Sequence, residues 1–249
     1  MKTAIIYLLV LLSLSVGGGS LILFFHFLLF GTPSPISIVH SDAARLTLDA
    51  LLCLAFFVQH SGMIRRGAKE HLARRIPTIY HPALYSIASG VALIALVLAW
   101  QPTDTFLFRL HGLARWLSAA VVLVAVAGFA WGVHSLRGFD TFGTLPLKAA
   151  LRGASVPTSP FVARGPYRYV RHPLYLFMLL FIWSTPRFST DQLLFNVLWT
   201  AWVIVGTKLE ERDLLLEFGP TYRQYQASVP MLTPSLRAVL RHRQSSIAA

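Results

Sequence analysis

Residues 80–100 read YHPALYSIASGVALIALVLAW, and this stretch decides the fold. It carries no charged side chain. It also has the length that a helix needs to cross the hydrocarbon core of a bilayer, about 20 residues. Pro82 stands where the first turn of such a helix favours a residue without an N–H. Outward from this stretch the pattern repeats. Apolar runs occupy 4–30, 46–59 and 113–134, and two shorter ones follow at 174–185 and 193–207. Pro186 closes the fifth run, which is short for a full crossing, and only a few residues separate it from the sixth. The last two runs therefore read as a helical hairpin. The expected fold class is all-α: a polytopic integral membrane bundle of about six transmembrane helices, the last two a hairpin, with short cytoplasmic helices. Residues 1–135 are expected to form an N-terminal four-helix transmembrane region. Residues 136–249 are expected to form a C-terminal core of cytoplasmic loop, hairpin and tail.

The composition supports the same solvent. Charged residues make up 13% of the 249, and mean hydropathy is +0.60. A soluble domain carries roughly 25% charged residues. One globule of this size cannot hide so much apolar surface from water. The single cysteine, Cys53, lies in an apolar run, which excludes an intrachain disulfide and a CxxC metal site and reads as helix packing. A net charge of +12 would suggest nucleic acid in a soluble chain. Here the basic residues cluster between apolar runs, so no nucleic-acid partner is expected. One cluster is Arg65, Arg66, Lys69, Arg74 and Arg75; another runs from Arg137 to Arg171; a third runs from Lys208 to Arg243. With six crossings, 18 of the 22 Lys and Arg residues fall on one side, and the positive-inside rule places both termini in the cytoplasm. Lys2 and the run after it resemble a signal peptide, but the apolar stretch resumes after Gly17-Gly18-Gly19 and continues to Phe30, so a retained first helix is expected. Those glycines allow close helix contact or mark a kink.

Between the runs, 144–151 reads as a short amphipathic helix and 154–160 as irregular. Residues 210–218 have helical spacing and end at Gly219-Pro220, as a glycine just past a helix followed by proline should. A short helix at 221–227 presents Tyr222 and Tyr225.

The chemistry concentrates in Gly165-Pro166-Tyr167-Arg168-Tyr169-Val170-Arg171-His172-Pro173-Leu174-Tyr175, where a cytoplasmic loop enters a membrane helix. The free amides and dipole at a helix start favour an anionic group. Arg171 can fork onto a carboxylate, and His172 and Tyr175, three apart, share nearly one face. A second feature, Leu209-Glu210-Glu211-Arg212-Asp213, ends the sixth run. If the hairpin forms, these acids lie at the depth of Arg171 and His172. His172 and Glu211 then confront one another across a cofactor-sized gap suited to a zwitterion, with tyrosines to stack on a flat ring. An interfacial salt bridge anchored to lipid headgroups accounts for the same residues, and spacing alone names no ligand.

The stretch 165–234 resembles the isoprenylcysteine carboxyl methyltransferase and phospholipid methyltransferase superfamily. The resemblance rests on the 165–175 motif, Glu210-Glu211, Phe218-Gly219, Tyr222, Tyr225, and Val229-Pro230 before Pro234. Within that superfamily the chain most resembles the NnrU-like methanethiol S-methyltransferases, through Gln59-His60-Ser61 with Met63, Thr185-Pro186, and Leu209 to Leu214 with Val229-Pro230-Met231-Leu232. It departs from that group in the loop Arg137 to Pro160, where an Asn-His-Phe-x-Leu-Phe-Gly type of segment is expected and Leu136 to Gly143 stands instead; this loop bears on the acceptor rather than the cofactor. The resemblance implies S-adenosyl-L-methionine held by Gly165, Tyr167, Arg168, Val170, Arg171, His172, Tyr175, Glu210 and Glu211. It implies a small thiol or lipophilic methyl acceptor arriving from the bilayer, and a bacterial inner membrane with the cofactor site cytoplasmic.

Methyl transfer from a sulfonium is an in-line displacement, so the protein must align the groups and exclude water. A thiol acceptor must also lose its proton, because the thiolate is the nucleophile. His60, Asp140 and Glu211 are the candidates to assist. The nine histidines show no HxxxH or HExxH spacing, so no metal is expected. The alternatives are an isoprenylcysteine- or lipid-type methyltransferase, an NADPH-dependent membrane reductase, and a non-catalytic sensor. The phosphates of a dinucleotide would face Glu210 and Glu211, which opposes the reductase.

Overall fold

The computed structural model describes residues 2–33, 37–136, 140–156 and 161–234. The loop departure at 137–139, part of the irregular stretch 154–160 and the basic tail beyond 234 lie outside the described residues.

Helices carry the chain. The first apolar run is α1 (Lys2–Leu12) and α2 (Gly18–Phe30), joined by one π-helical turn, Ser13–Gly17. α3 (Asp42–Ile64) starts at Ser41, whose Oγ accepts the Ala44 N–H at 3.3 Å, a serine cap on an otherwise orphan amide. α4 (Arg66–Ala73) lies in the stretch that hydropathy left as a basic loop. It is polar and exposed, and Arg66 pairs with Glu70 one turn on at 2.8 Å. A 3-10 turn leads into α5 (His81–Ala99), with Pro82 in its first turn. Then come α6 (Gly112–Ser135), α7 (Leu145–Leu151), α8 (Pro173–Trp183) and α9 (Thr190–Ser228). Two short strands, β1 (Phe106–Arg109) and β2 (Arg187–Ser189), form a two-stranded sheet that the apolar pattern did not announce.

Among the described residues, five helices are long and apolar enough to cross a bilayer: Thr3–Phe30, Asp42–Ile64, Thr78–Ala99, Gly112–Ser135 and Thr190–Ser228. The protein is an all-α integral membrane bundle. α8 is the short run, 11 residues long. At 1.5 Å per residue it covers about 16 Å, roughly half the hydrocarbon thickness. α9 continues through 210–218 without a stop and bends at Gly219 (φ 53°), beside Pro220.

The chain divides into two compact units. The first comprises residues 1–107, 140–158 and 189–198. In it Gly17 faces the Ser86 side chain and the Phe142 ring, so Gly17 serves close contact, while Gly19 has open space and the π turn supplies the irregularity. Phe27, Trp100 and Phe195 pack edge to face, with centroids 5.4–5.7 Å apart. Buried Asp49 accepts the Gln101 N–H at 2.9 Å, and buried Asp191 accepts from Trp100 Nε1 and the Thr103 hydroxyl; these carboxylates pin the segment after α5.

The second unit comprises 108–139, 159–188 and 199–249. α6 packs on α8 with Phe177 over Gly128 and Leu174 over Gly132. Where α8 ends, the Ser118 hydroxyl donates to the Ser184 carbonyl and the Leu110 N–H donates to Pro186 O at 2.7 Å. Backbone groups in or near lipid need such partners. Trp183 Nε1 donates to Thr200 Oγ1 at 3.0 Å, while Tyr175 reaches Glu210 at the other end. α8 and α9 thus run antiparallel in this unit, the hairpin expected of the last two runs.

Candidate functional site

Gly165 opens the site. Its φ of 53° is open to glycine at no steric cost, and a Cβ there would run into Ser135 and Trp131 of α6. The chain then makes a 3-10 turn, Gly165–Arg168, buries Val170 and enters α8 at Pro173. The amides of Arg171 and His172 donate to the carbonyls of Pro230 (2.9 Å) and Met231 (3.1 Å). That pairing gives the Val229-Pro230-Met231 stretch a physical role: it returns the end of α9 to the motif.

Four side chains carry the charge. Arg171 Nε donates to Glu211 Oε1 at 2.6 Å, and its Nη1 donates to the carbonyls of Gln226 (3.0 Å) and Val229 (2.5 Å). His172 Nε2 lies 3.1 Å from the same Glu211 oxygen, and Nδ1 lies 3.8 Å from Glu210 Oε2. Gln226 Nε2 donates to Glu211 Oε2 at 3.0 Å, so both oxygens of Glu211 are engaged. Tyr175 donates to Glu210 at 3.0 Å, and its ring stacks on His172 at 5.8 Å, as their three-residue spacing requires. The Arg171 and Glu211 side chains are 11% and 12% exposed, and Glu210 is 44% exposed. Glu211 is therefore a brace and Glu210 an open acid.

The structure brings His172 and Glu211 together, but in direct contact and not across a cofactor-sized gap. A largely buried guanidinium and carboxylate held apart would each keep most of the cost of leaving water, and pairing offsets it. Gln226, which completes Glu211, carried no signal in the sequence; only the bend at Gly219 brings it near.

An aromatic group lies behind the charges. The Phe161 ring meets Phe218, Tyr222 and Tyr225 at 5.0–5.5 Å. The Tyr225 hydroxyl donates to Tyr167 O at 2.5 Å. Tyr222 is 1% exposed, and its hydroxyl has no hydrogen-bond partner among the described residues. Burial, aided by the charge of Glu210, pushes the Tyr167 phenol up, so it stays neutral at ordinary pH. Arg168 is exposed.

His60 and Asp140 belong to the first unit. His60 stacks on Phe56; the Tyr85 hydroxyl lies 2.9 Å from Nε2 and 3.1 Å from Nδ1, and Ser89 Oγ lies 3.2 Å from Nδ1. Asp140 accepts the Thr144 N–H at 2.9 Å and the Leu145 N–H at 2.6 Å, one on each carboxylate oxygen, and so caps the start of α7. Replacing it by alanine should cost about 1 kcal/mol, the ordinary value of a lost cap. The check is a small drop in melting temperature with turnover of the surviving protein unchanged; a large fall in turnover at unchanged stability would instead make Asp140 a reacting group.

The chain is 35% identical over 198 residues to methanethiol S-methyltransferase 2 of Bradyrhizobium diazoefficiens, covering 78% of this chain and 74% of that one. It is 36% identical to methanethiol S-methyltransferase of Pseudomonas deceptionensis, over 77% and 74% of the two chains. The chain belongs to the methanethiol S-methyltransferase family. A third member, from Mycobacterium tuberculosis, is 31% identical over 80% of this chain and 84% of its own. No family model matches the chain, and no solved structure matches it. Membership in the methanethiol S-methyltransferase family makes this membrane protein a methyltransferase and calls for a methyl donor.

Proposed function

We propose that the protein transfers a methyl group from S-adenosyl-L-methionine to a small thiol, with methanethiol the acceptor its relatives' names suggest. The observation that carries the donor is the mixed cluster at the head of α8. Arg171 and His172 stand beside two carboxylates of unequal availability, a set that fits a ligand bearing both a carboxylate and an ammonium group. When bound, the donor supplies a methyl group activated on a sulfonium. The half-exposed carboxylate of Glu210 receives its ammonium, and the Arg171 side of the cluster faces its carboxylate. Glu211, tied to Arg171, His172 and Gln226, holds these donors in place. Gly165, Val170 and the 3-10 turn between them fix the loop, Tyr175 orients Glu210, and neutral Tyr167 with exposed Arg168 completes the segment. Residues 136–249 form the transfer core in this reading. The basic-residue bias supports a cytoplasmic site and cytoplasmic termini, and the bacterial sources of the relatives support a bacterial inner membrane.

For the proton of a thiol acceptor, His60 is the candidate base within the first unit, and its own variant tests it. An ionisable residue inside a membrane helix, hydrogen-bonded to a tyrosine and a serine, is a functional-site hypothesis by default. His60→Ala should lower methylation of an alkyl thiol at least 10-fold while sparing an arylthiol, which is already ionised at neutral pH. Equal losses with both thiols would remove His60 from the proton path.

The overall reading predicts that S-adenosylhomocysteine raises the melting temperature of the solubilised protein and NADPH does not. A ligand at 100 times its dissociation constant adds about 2.7 kcal/mol to the native state. Stabilisation by NADPH alone would give the site to a reductase.

A further inference from the structure

Tyr222 lies in the second unit, past the bend at Gly219, with its ring edge-on to Phe161 at 5.5 Å and tilted against Tyr225 at 5.7 Å. It is among the largest fully buried side chains, and its hydroxyl has no hydrogen-bond partner among the described residues. Its charged neighbours are Glu211, Arg171 and Glu210, the residues of the site above. Arg171 presents only donors to it, because a guanidinium has no acceptor. The guanidinium can therefore lie against the phenol oxygen, but it cannot receive the phenol proton. Tyr225, one turn on, solves the same problem by donating to Tyr167 O. A buried donor without an acceptor is a standing cost that phenylalanine would avoid at nearly the same shape.

The geometry points to the Tyr222 hydroxyl as a further methyl-donor-binding group, donating its proton to the carboxylate of the donor's amino-acid end beside Arg171. The inference rests on the donor assignment above and adds a residue to it. A carboxylate is the complement of this corner: it accepts from a guanidinium and a phenol together, whereas an ammonium would confront Arg171 with like charge. Charge-assisted hydrogen bonds of this kind are about twice as strong as neutral ones.

Tyr222→Phe tests it in the full-length protein in nanodiscs. Without ligand the variant should melt at or near the wild-type temperature, since the phenol proton has no acceptor to lose. By calorimetry its dissociation constant for S-adenosylhomocysteine should rise about tenfold. 5′-Methylthioadenosine, which lacks the amino-acid end, should bind both proteins equally. Tyr225→Phe is the contrasting variant: it should lower the melting temperature without separating the two ligands. Unchanged affinity for S-adenosylhomocysteine in Tyr222→Phe would overturn the proposal. So would an equal loss with 5′-methylthioadenosine, which would assign the hydroxyl to the nucleoside. If the wild type itself binds neither ligand, the donor assignment fails and takes this inference with it, an outcome readily told apart from the first two.

Discussion

Arg171→Ala will both loosen the protein and abolish its response to S-adenosylhomocysteine. The side chain makes three hydrogen bonds, to Glu211, Gln226 and Val229, and is 11% exposed. Removing it leaves Glu211 with His172 and Gln226 as partners in a site that is still largely out of water. Breaking one side of a buried pair costs about 3–5 kcal/mol. Two carbonyls at the end of α9 lose their donor as well, so the return of 226–230 to the motif should weaken with it. The measurement is a melting curve in detergent or nanodiscs, with and without S-adenosylhomocysteine. A variant that melts with the wild type and still shifts with ligand would show that the cluster has been given the wrong role.

Stability and binding can be separated at the same place. Replacing Arg171 by Met and Glu211 by Leu together removes both charges, and such replacements of buried pairs are often neutral or stabilising. The double variant should therefore recover much of the stability lost in Arg171→Ala. It should not recover the ligand shift, because the donor's carboxylate would have lost its cation. Recovery of both would reduce the pair to scaffolding.

The membrane helices were legible because lipid imposes one demand on the chain, uninterrupted apolar length, and residues 80–100 meet it without any other knowledge. The 165–175 motif was legible because its members are contiguous, and the spacing of His172 and Tyr175 already implied the stack that forms. α4 was hidden for the opposite reason: a short polar helix leaves no apolar stripe, and only its Arg66–Glu70 spacing hinted at it. The closed Arg171–Glu211 pair was hidden because charge spacing along a chain does not say whether two helix ends stand apart or touch. Gln226 and the orphan hydroxyl of Tyr222 depend on the bend at Gly219, whose position the sequence showed but whose direction it did not.

The second large effect is expected far from any charge, at Gly128. The fourth apolar run contains Gly128 and Gly132 one turn apart, and on α8 the side chains of Leu174 and Phe177, three apart, fill the shallow groove they leave. Apolar side chains gain little by leaving lipid, so helix contact in a bilayer depends on close van der Waals packing, which small residues permit. A Cβ at Gly128 would collide with three atoms of the Phe177 ring, and at Gly132 it would meet Leu174. Gly128→Leu must push α8 off α6, and α8 begins at the residue after His172. Overpacking typically costs about 1–3 kcal/mol, and collision with a ring puts this case at or above the upper end. Methyl transfer should fall more than 10-fold, and ligand affinity should fall with it, because Arg171 and His172 lose their register with Glu211. Phe177→Ala in the Gly128→Leu background returns the space and should restore part of both. If the double variant behaves no better than Gly128→Leu alone, the damage does not pass through the ring; if Gly128→Leu is itself active, the α6–α8 contact is not what places the motif.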